Sequence, residues 1–201
     1  EGDGTWTQWR GRAAMDLSGR PTARLALAAD KGRYRLQGKL APAPFLKGKL
    51  QRLTTPLIDV RGNGTFVDSQ LDGELRLASP SLRAVARGRV DLADGAYRDL
   101  RLGADLLRPP ALFKNMTGRN VRLVWTLDGP FGSADYSYRL TSPGVKFDNT
   151  GFVDVRAEGR GRGTPWPMRV PLSLQARAVT GVGDVAGAIL ANVRIEGILA
   201  V

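Results

Sequence analysis

Two residue types are missing altogether from this 201-residue chain, which has no cysteine and no histidine. Their absence excludes a disulfide framework, a thiolate nucleophile, an imidazole general base and cysteine–histidine zinc sites. No apolar run approaches the roughly 20 residues that a membrane-spanning helix needs. Aromatic residues make up only 7% of the chain, few for a surface that stacks nucleic-acid bases. These shortages favour a binding or structural role over an enzymatic one.

The chain is strongly basic, because 30 Lys and Arg against 19 Asp and Glu give a formal net charge of +11. The basic residues are spread along the whole chain, and the densest group, residues 156–162, is interrupted by glycines. Three interpretations stay open: a solvated strand face, contact with anionic lipid headgroups, and nucleic-acid binding. The even spread and the scarcity of aromatics favour the first, and we expect no nucleic-acid partner.

The dominant pattern in the sequence is an alternation of apolar and polar residues. In residues 33–40, Tyr34, Leu36 and Leu40 share one face with a glycine, and Arg, Gln and Lys occupy the other. The same alternation recurs in residues 71–77, 82–92, 121–128, 134–140 and 168–177. Strict alternation over such lengths is typical of strands with one dry face and one solvated face.

Turn signals separate the alternating segments at short intervals. They lie at residues 18–21, 30–32, 62–64, 79–80, 94–95, 142–144 and 148–149. Strands joined by tight turns predict an all-β protein built on a long, curled antiparallel sheet. We expect short helices near residues 108–114, where proline suits a first helical turn, and near 183–191, where Asp184 suits an N-cap. No linker marks a domain boundary, so residues 1–201 are expected to form a single segment.

A weak internal repeat, apolar-x-Gly-x-apolar, runs through the alternating segments. It occurs at residues 36–40, 46–50, 71–75, 86–90, 127–131 and 195–199. Glycine on the apolar face of a strand weakens the strand unless the sheet bends there or another surface comes close. The repeat therefore predicts a sheet that curls along a crease, or one that keeps an apolar trough open.

Candidate groups for catalysis or metal binding are sparse. The carboxylates lie mostly in turns or on polar strand faces, without the close pair in an apolar setting that acid–base catalysis requires. Residues 181–187 superficially match a dinucleotide-binding fingerprint, but the parallel strand and the later acid of that motif are lacking. We expect no enzyme activity, no cofactor and no metal site.

The segment Leu71–Val201 resembles the periplasmic β-groove proteins of the AsmA-like group, most closely the C-terminal region of the TamB-like family. The similarity lies in diffuse patterns of alternation and glycine and not in a catalytic signature. It is carried by Leu71–Phe113, which includes LDGELRLASPSLRAVARGRVDLADGAYRDL, and by Val121–Phe131, Tyr136–Arg162 and Ala176–Val201.

This resemblance implies a taco-shaped sheet with an apolar inside, anchored in the inner membrane of a Gram-negative bacterium and reaching across the periplasm. It implies phospholipid transport between the inner and outer membranes, and support of outer-membrane protein assembly and secretion with a TamA-like barrel protein. The chain begins at Glu1 without a methionine and stops at Val201 inside an alternating run. We therefore expect a fragment of a longer protein, whose membrane anchor belongs to another part.

An open apolar trough suits the acyl chains of a phospholipid. A strand of about eight residues spans about 26 Å, close to the length of an acyl chain. Exposing both acyl chains of one lipid to water costs on the order of 20 kcal/mol, at about 0.8 kcal/mol per methylene. The residues predicted to line the trough are Leu36, Leu40, Leu75, Leu77, Val90, Leu102, Leu123, Trp125, Tyr136, Val155, Val170 and Leu172.

Two alternatives stay open from the sequence. A sealed core produces the same alternation as an open trough, so the sequence leaves undecided whether the apolar face is covered. The rival function is a β-scaffold or chaperone platform that offers strand edges to outer-membrane proteins and carries no lipid.

Overall fold

Antiparallel pairing between neighbouring strands organises the described part of the chain. The computed structural model describes residues 1–5, 7–163, 169–181 and 190–200. The strands are β1 (Gly2–Thr5), β2 (Gln8–Leu17), β3 (Arg20–Asp30), β4 (Arg33–Leu40), β5 (Ile58–Val67), β6 (Gln70–Ala78), β7 (Leu82–Asp91), β8 (Ala96–Leu106), β9 (Met116–Arg119), β10 (Val121–Pro130), β11 (Asp135–Phe147), β12 (Thr150–Arg162), β13 (Arg169–Thr180) and β14 (Ala191–Ala200).

All 14 strands belong to one sheet, in sequential order from β1 to β14 with β9 off the path. β8 pairs directly with β10, and β9 pairs with the far end of β11, at residues 144–147. The first and last strands in this order each have one neighbour, so the sheet is open. The predicted fold class, an all-β protein with one long, curled antiparallel sheet, is confirmed.

The helical segments match the sequence predictions only in part. A 3₁₀ turn, η1 (Pro109–Ala111), lies within the segment predicted to be helical at residues 108–114, and proline occupies its first position as expected. Of the other predicted helix, residues 183–189 lie outside the described part of the chain. Its last residue, Ala191, begins β14.

One helix, α1 (Gly48–Thr54), has no counterpart among the predicted elements. Residues 46–50 were interpreted as a strand-type repeat, which is wrong, because Gly48 has a φ of +64° and opens the helix. No side chain caps the N-terminus, so the usual start signal is missing. The helix ends before Pro56, in keeping with the restriction that proline places on the residue before it.

Two of the predicted turns lie inside strands instead. Residues 62–64 belong to β5, where Gly64 directly faces Gly73 of β6. A Cβ on Gly64 would lie 3.1 Å from the Cα of Gly73, so glycine is needed there for close strand approach and not for a turn. Residues 142–144 belong to β11, where the Ser142 hydroxyl accepts from the N–H of Gly144 and donates to the carbonyl of Arg119 in β9.

A small core lies at one rim of the sheet, where β4, β5, β8 and β10 begin or end. It consists of Leu53, Leu106, Met116, Val121 and Val145. No large side chain in the described ranges is fully buried. A domain of two packed layers at this length normally has such residues at its centre. None of the described helices is long and apolar enough to cross a membrane.

Candidate functional site

Directly paired residues in an antiparallel sheet point to the same side, so the register shows which residues share a face. One row of paired residues crosses the sheet from β3 to β14. It consists of Leu25, Gly38, Val60, Leu77, Ala84, Ala104, Leu123, Leu140, Ala157, Leu174 and Ile195. This side of the sheet is called the apolar face below.

A second row crosses the apolar face beside the first. It consists of Leu27, Leu36, Gly62, Leu75, Ala86, Leu102, Trp125, Tyr138 and Gly159. Neither row contains a charged residue. Because the register aligns the apolar residues of neighbouring strands, they form continuous apolar bands that run across the sheet.

The structure brings the predicted lining residues to this one face. Leu36, Leu75, Leu102 and Trp125 lie in the second row, and Leu77 and Leu123 lie in the first. The remaining predicted residues lie in flanking rows of the same face; they are Leu40, Val90, Tyr136, Val155, Val170 and Leu172. Contact of these side chains with lipid stays a prediction.

The apolar face has no second sheet over it in the described part of the chain, since every described strand belongs to the same sheet. Large apolar side chains on it keep substantial exposure: 37% for Leu75, 43% for Leu71 and 50% for Ile195. Exposed apolar side chains that form a continuous patch mark binding surfaces in soluble proteins. Other side chains of the same face are buried, among them Val60, Tyr136, Val155 and Val170, so this face is covered in some places and exposed in others.

A cap, formed by α1, η1 and β9, closes one rim of the apolar face. Arg52 of α1 donates from Nε to the carbonyl of Ala111 at 3.0 Å and from Nη2 to the carbonyl of Leu112 at 3.2 Å. The Ser79 hydroxyl donates to the carbonyl of Leu53 at 2.5 Å. The Arg52 bonds hold α1 and the η1 segment together, and the Ser79 bond attaches α1 to the turn after β6. The opposite rim has no helix among the described residues.

Aromatic rings lie across glycines of neighbouring strands on the apolar face. A Cβ on Gly161 would lie 2.7 Å from the Tyr136 hydroxyl oxygen, and one on Gly2 would lie 2.7 Å from the Trp9 ring. Aromatic side chains commonly cover cross-strand glycines in this way. These glycines of β1 and β12 lie outside the repeat predicted from the sequence. The repeat glycines Gly38, Gly73 and Gly88 instead lie against backbone atoms of the neighbouring strand, where a Cβ would have no room.

Trp125 lies at the centre of an aromatic cluster on the apolar face. Its ring centroid is 5.6 Å from that of Tyr136 and 5.8 Å from that of Tyr138. The Tyr138 hydroxyl donates to the carbonyl of Pro171 at 2.7 Å, and burial, followed by the neighbouring Tyr136, raises the Tyr138 pKa. Among the described residues the buried Trp125 Nε1 has no hydrogen-bond acceptor.

The opposite side of the sheet, called the polar face below, holds the charged residues. Glu74 pairs with both Arg76 and Arg87, and these arginines lower its pKa. Arg156 and then Arg139 lower the pKa of Glu158 in the same way. Such exposed pairs contribute little stability one by one, so their main effect is a solvated face.

Comparisons add no relative to this description. No family model, curated protein or solved structure matches the chain.

Proposed function

We propose that this chain binds the acyl chains of phospholipids on its apolar face and forms part of a conduit that carries lipid between membranes. One observation supports the proposal most: an uncharged row runs from Leu25 to Ile195 across a face that no second sheet covers within the described residues. A bound hydrocarbon would form a second layer on that face.

The dimensions of the row suit movement along it. Strands in a sheet lie about 4.8 Å apart, so a row from β3 to β14 is on the order of 50 Å long. That length exceeds one extended acyl chain, and successive positions along it have similar apolar side chains. A lipid that moves from one position to the next therefore exchanges like contacts and avoids exposing its methylenes to water.

The cap makes the two rims of the trough different, which would fix the orientation of a bound lipid. Because α1 and η1 close one rim, the charged headgroup of a bound lipid would lie at the other rim, in water. Headgroup identity then contributes little to binding, and we expect lipids with different headgroups and similar acyl chains to bind alike.

The periplasmic location, the inner-membrane anchor outside this chain and the TamA-like outer-membrane barrel partner belong to the same proposal. They rest on the resemblance of Leu71–Val201 to the TamB-like family.

Mass spectrometry of the purified protein tests lipid binding. The double variant Leu75→Asp/Leu123→Asp places charge in the two apolar rows and should abolish copurification of phospholipid while circular dichroism still reports the sheet. The matched control is Val85→Asp/Val124→Asp, on the polar face, which should keep its lipid. Equal lipid content in the two double variants, or global unfolding of the first alone, would contradict an open trough.

A second candidate function, the β-scaffold, is favoured by the free edge of β14. This strand pairs with β13 and has no further neighbour among the described strands, so its outer backbone groups are available to another strand. Binding of an outer-membrane protein segment by a lipid-free sample would support the scaffold over the conduit.

A further inference from the structure

A row of guanidinium and hydroxyl groups crosses the polar face at the centre of the sheet. Arg101 of β8 faces Thr126 of β10, Thr126 faces Ser137 of β11, and Ser137 faces Arg160 of β12. The Thr126 and Ser137 hydroxyl oxygens are 2.6 Å apart and share a hydrogen bond. Donor groups of two kinds are thus aligned in one band across four strands.

The shape of this row leaves space for a ligand. Thr126 and Ser137 are short, whereas the flanking Arg101 and Arg160 are long and about 14 Å apart at the backbone, three strand spacings. Two grooves, of about 880 Å³ and 960 Å³, share these residues as lining. The hydroxyls form the floor of the grooves and the arginines form their walls.

The charges of the row are not neutralised by the protein. Within the described ranges neither Arg101 nor Arg160 takes part in an ion pair. Arg101 also faces Arg87 of β7 directly, and Arg87 is already paired with Glu74. An anion bound between Arg101 and Arg160 would supply the counter-charge that these two arginines lack.

Carboxylates lie next to the row of arginines and hydroxyls and restrict where an anion can bind. Asp99 and Asp128 lie at one side of the smaller groove, where Asp128 accepts the N–H of Asp99 at 3.1 Å. Asp135 is paired with Arg162, which lowers its pKa. At the other groove, Glu158 is paired with Arg156 and Arg139, and Glu196 is paired with Arg194. The row itself contains no carboxylate, so the carboxylates lie around the space between the two arginines and not within it.

We propose that Arg101, Thr126, Ser137 and Arg160 bind the phosphate of a phosphate ester. Guanidinium groups contact phosphate oxygens in pairs, and hydroxyls donate to the remaining oxygens. The four residues lie on the opposite side of the sheet from the apolar rows, and residues of the apolar face, Tyr136, Tyr138 and Leu172, contribute to the lining of the same two grooves. The phosphate belongs either to a lipid headgroup at a membrane surface or to a soluble ester.

Calorimetric titration of the protein with inorganic phosphate, at constant ionic strength set by chloride, tests the site. Arg101→Gln/Arg160→Gln should weaken phosphate binding at least tenfold, and Thr126→Val/Ser137→Ala should weaken it by a smaller factor. The matched control is Arg24→Gln/Arg83→Gln, which removes the same charge from exposed positions of the polar face and should bind as the parent does.

Flotation with phosphatidylcholine vesicles that contain phosphatidylglycerol distinguishes the two sources. If the parent binds the vesicles and the double variant Arg101→Gln/Arg160→Gln does not, while the control variant still does, the phosphate belongs to a lipid headgroup. If the parent binds phosphate but not the vesicles, the phosphate belongs to a soluble ester. Equal weakening by the control pair, or no phosphate binding by the parent, would overturn the proposal. Either result leaves the lipid content of the apolar face unaffected, so the conduit is tested independently.

Discussion

Trp125 of β10 and Tyr138 of β11 face each other directly across the strands, with ring centroids 5.8 Å apart. On the far side of Tyr138, Gly159 of β12 leaves room for the tyrosine ring. The neighbouring Tyr136 lies against Gly161 of β12 in the same way.

The unpartnered Trp125 indole gives a first prediction. A buried donor without an acceptor costs about 1–3 kcal/mol, so Trp125→Phe removes that cost while keeping an aromatic ring in the cluster. We expect the free energy of unfolding to change by less than about 1 kcal/mol, whereas Trp125→Ala should lower it by about 3 kcal/mol or more. Urea unfolding followed by circular dichroism measures both. Equal losses in the two variants would mean that the indole N–H has a partner.

The space above Gly161 gives a second prediction. Gly161→Ala forces a Cβ against the Tyr136 ring, which is only 4% exposed and has little room to move. Overpacking of this kind should lower the free energy of unfolding by about 1–3 kcal/mol. Gly197→Ala is the matched control, because a Cβ there meets nothing within 4 Å. Similar stabilities for the two variants would show that glycine at 161 has no steric role.

The cap gives a third prediction. Arg52 donates to carbonyls of both Ala111 and Leu112, and hydrogen bonds from charged groups contribute about 1.5–3 kcal/mol each. Arg52→Ala should therefore lower the free energy of unfolding by about 2 kcal/mol or more, while Lys47→Ala, at an exposed position just before the helix, should have little effect. Thermal unfolding of the two variants measures both effects. Equal stabilities of the Arg52→Ala and Lys47→Ala variants would contradict a stabilising role of the Arg52 hydrogen bonds.

The charged pairs of the polar face give a fourth prediction, on pH. Arginine partners lower the pKa values of Glu74, Glu158 and Asp135 in the folded protein. Because the folded pKa values of these carboxylates are depressed, their contribution to stability is present above the ordinary values, 4.5 for the glutamates and 3.8 for the aspartate. It is lost as pH falls from those values through the lower folded pKa values. The free energy of unfolding of the variant Glu74→Gln/Glu158→Gln should fall less than that of the parent protein as pH is lowered below 4.5. An unchanged acid transition would contradict this assignment.

Strands with strict alternation were predictable from the sequence alone. The segment 33–40 matches the bounds of β4 residue for residue, because a half-buried strand leaves a period-two pattern wherever one face is dry. Antiparallel order followed from the short turns between such segments. The glycine repeat indicated a curled sheet, although the partner of each glycine depended on register that the sequence does not state.

Other features depended on tertiary contacts. Glycine and asparagine at residues 62–64 have the composition of a turn, yet the close approach of Gly64 to Gly73 places them inside β5. The helix α1 has no N-capping side chain, so its start could not be predicted from the sequence. Leu53, which packs in the core at the rim, stabilises it. The row from Arg101 to Arg160 escaped notice because its members are far apart in sequence and meet only through the register of β8, β10, β11 and β12.

Photo-crosslinking at adjacent residues tests most directly whether lipid occupies the apolar face. Leu36 and Gln37 are neighbours in β4, so a photoreactive residue at one or the other position faces opposite sides of the sheet. The protein is irradiated with vesicles of phosphatidylethanolamine and phosphatidylglycerol labelled in their acyl chains. We expect labelled adducts at position 36 and not at position 37. Equal labelling at the two positions, or none at 36, would contradict it.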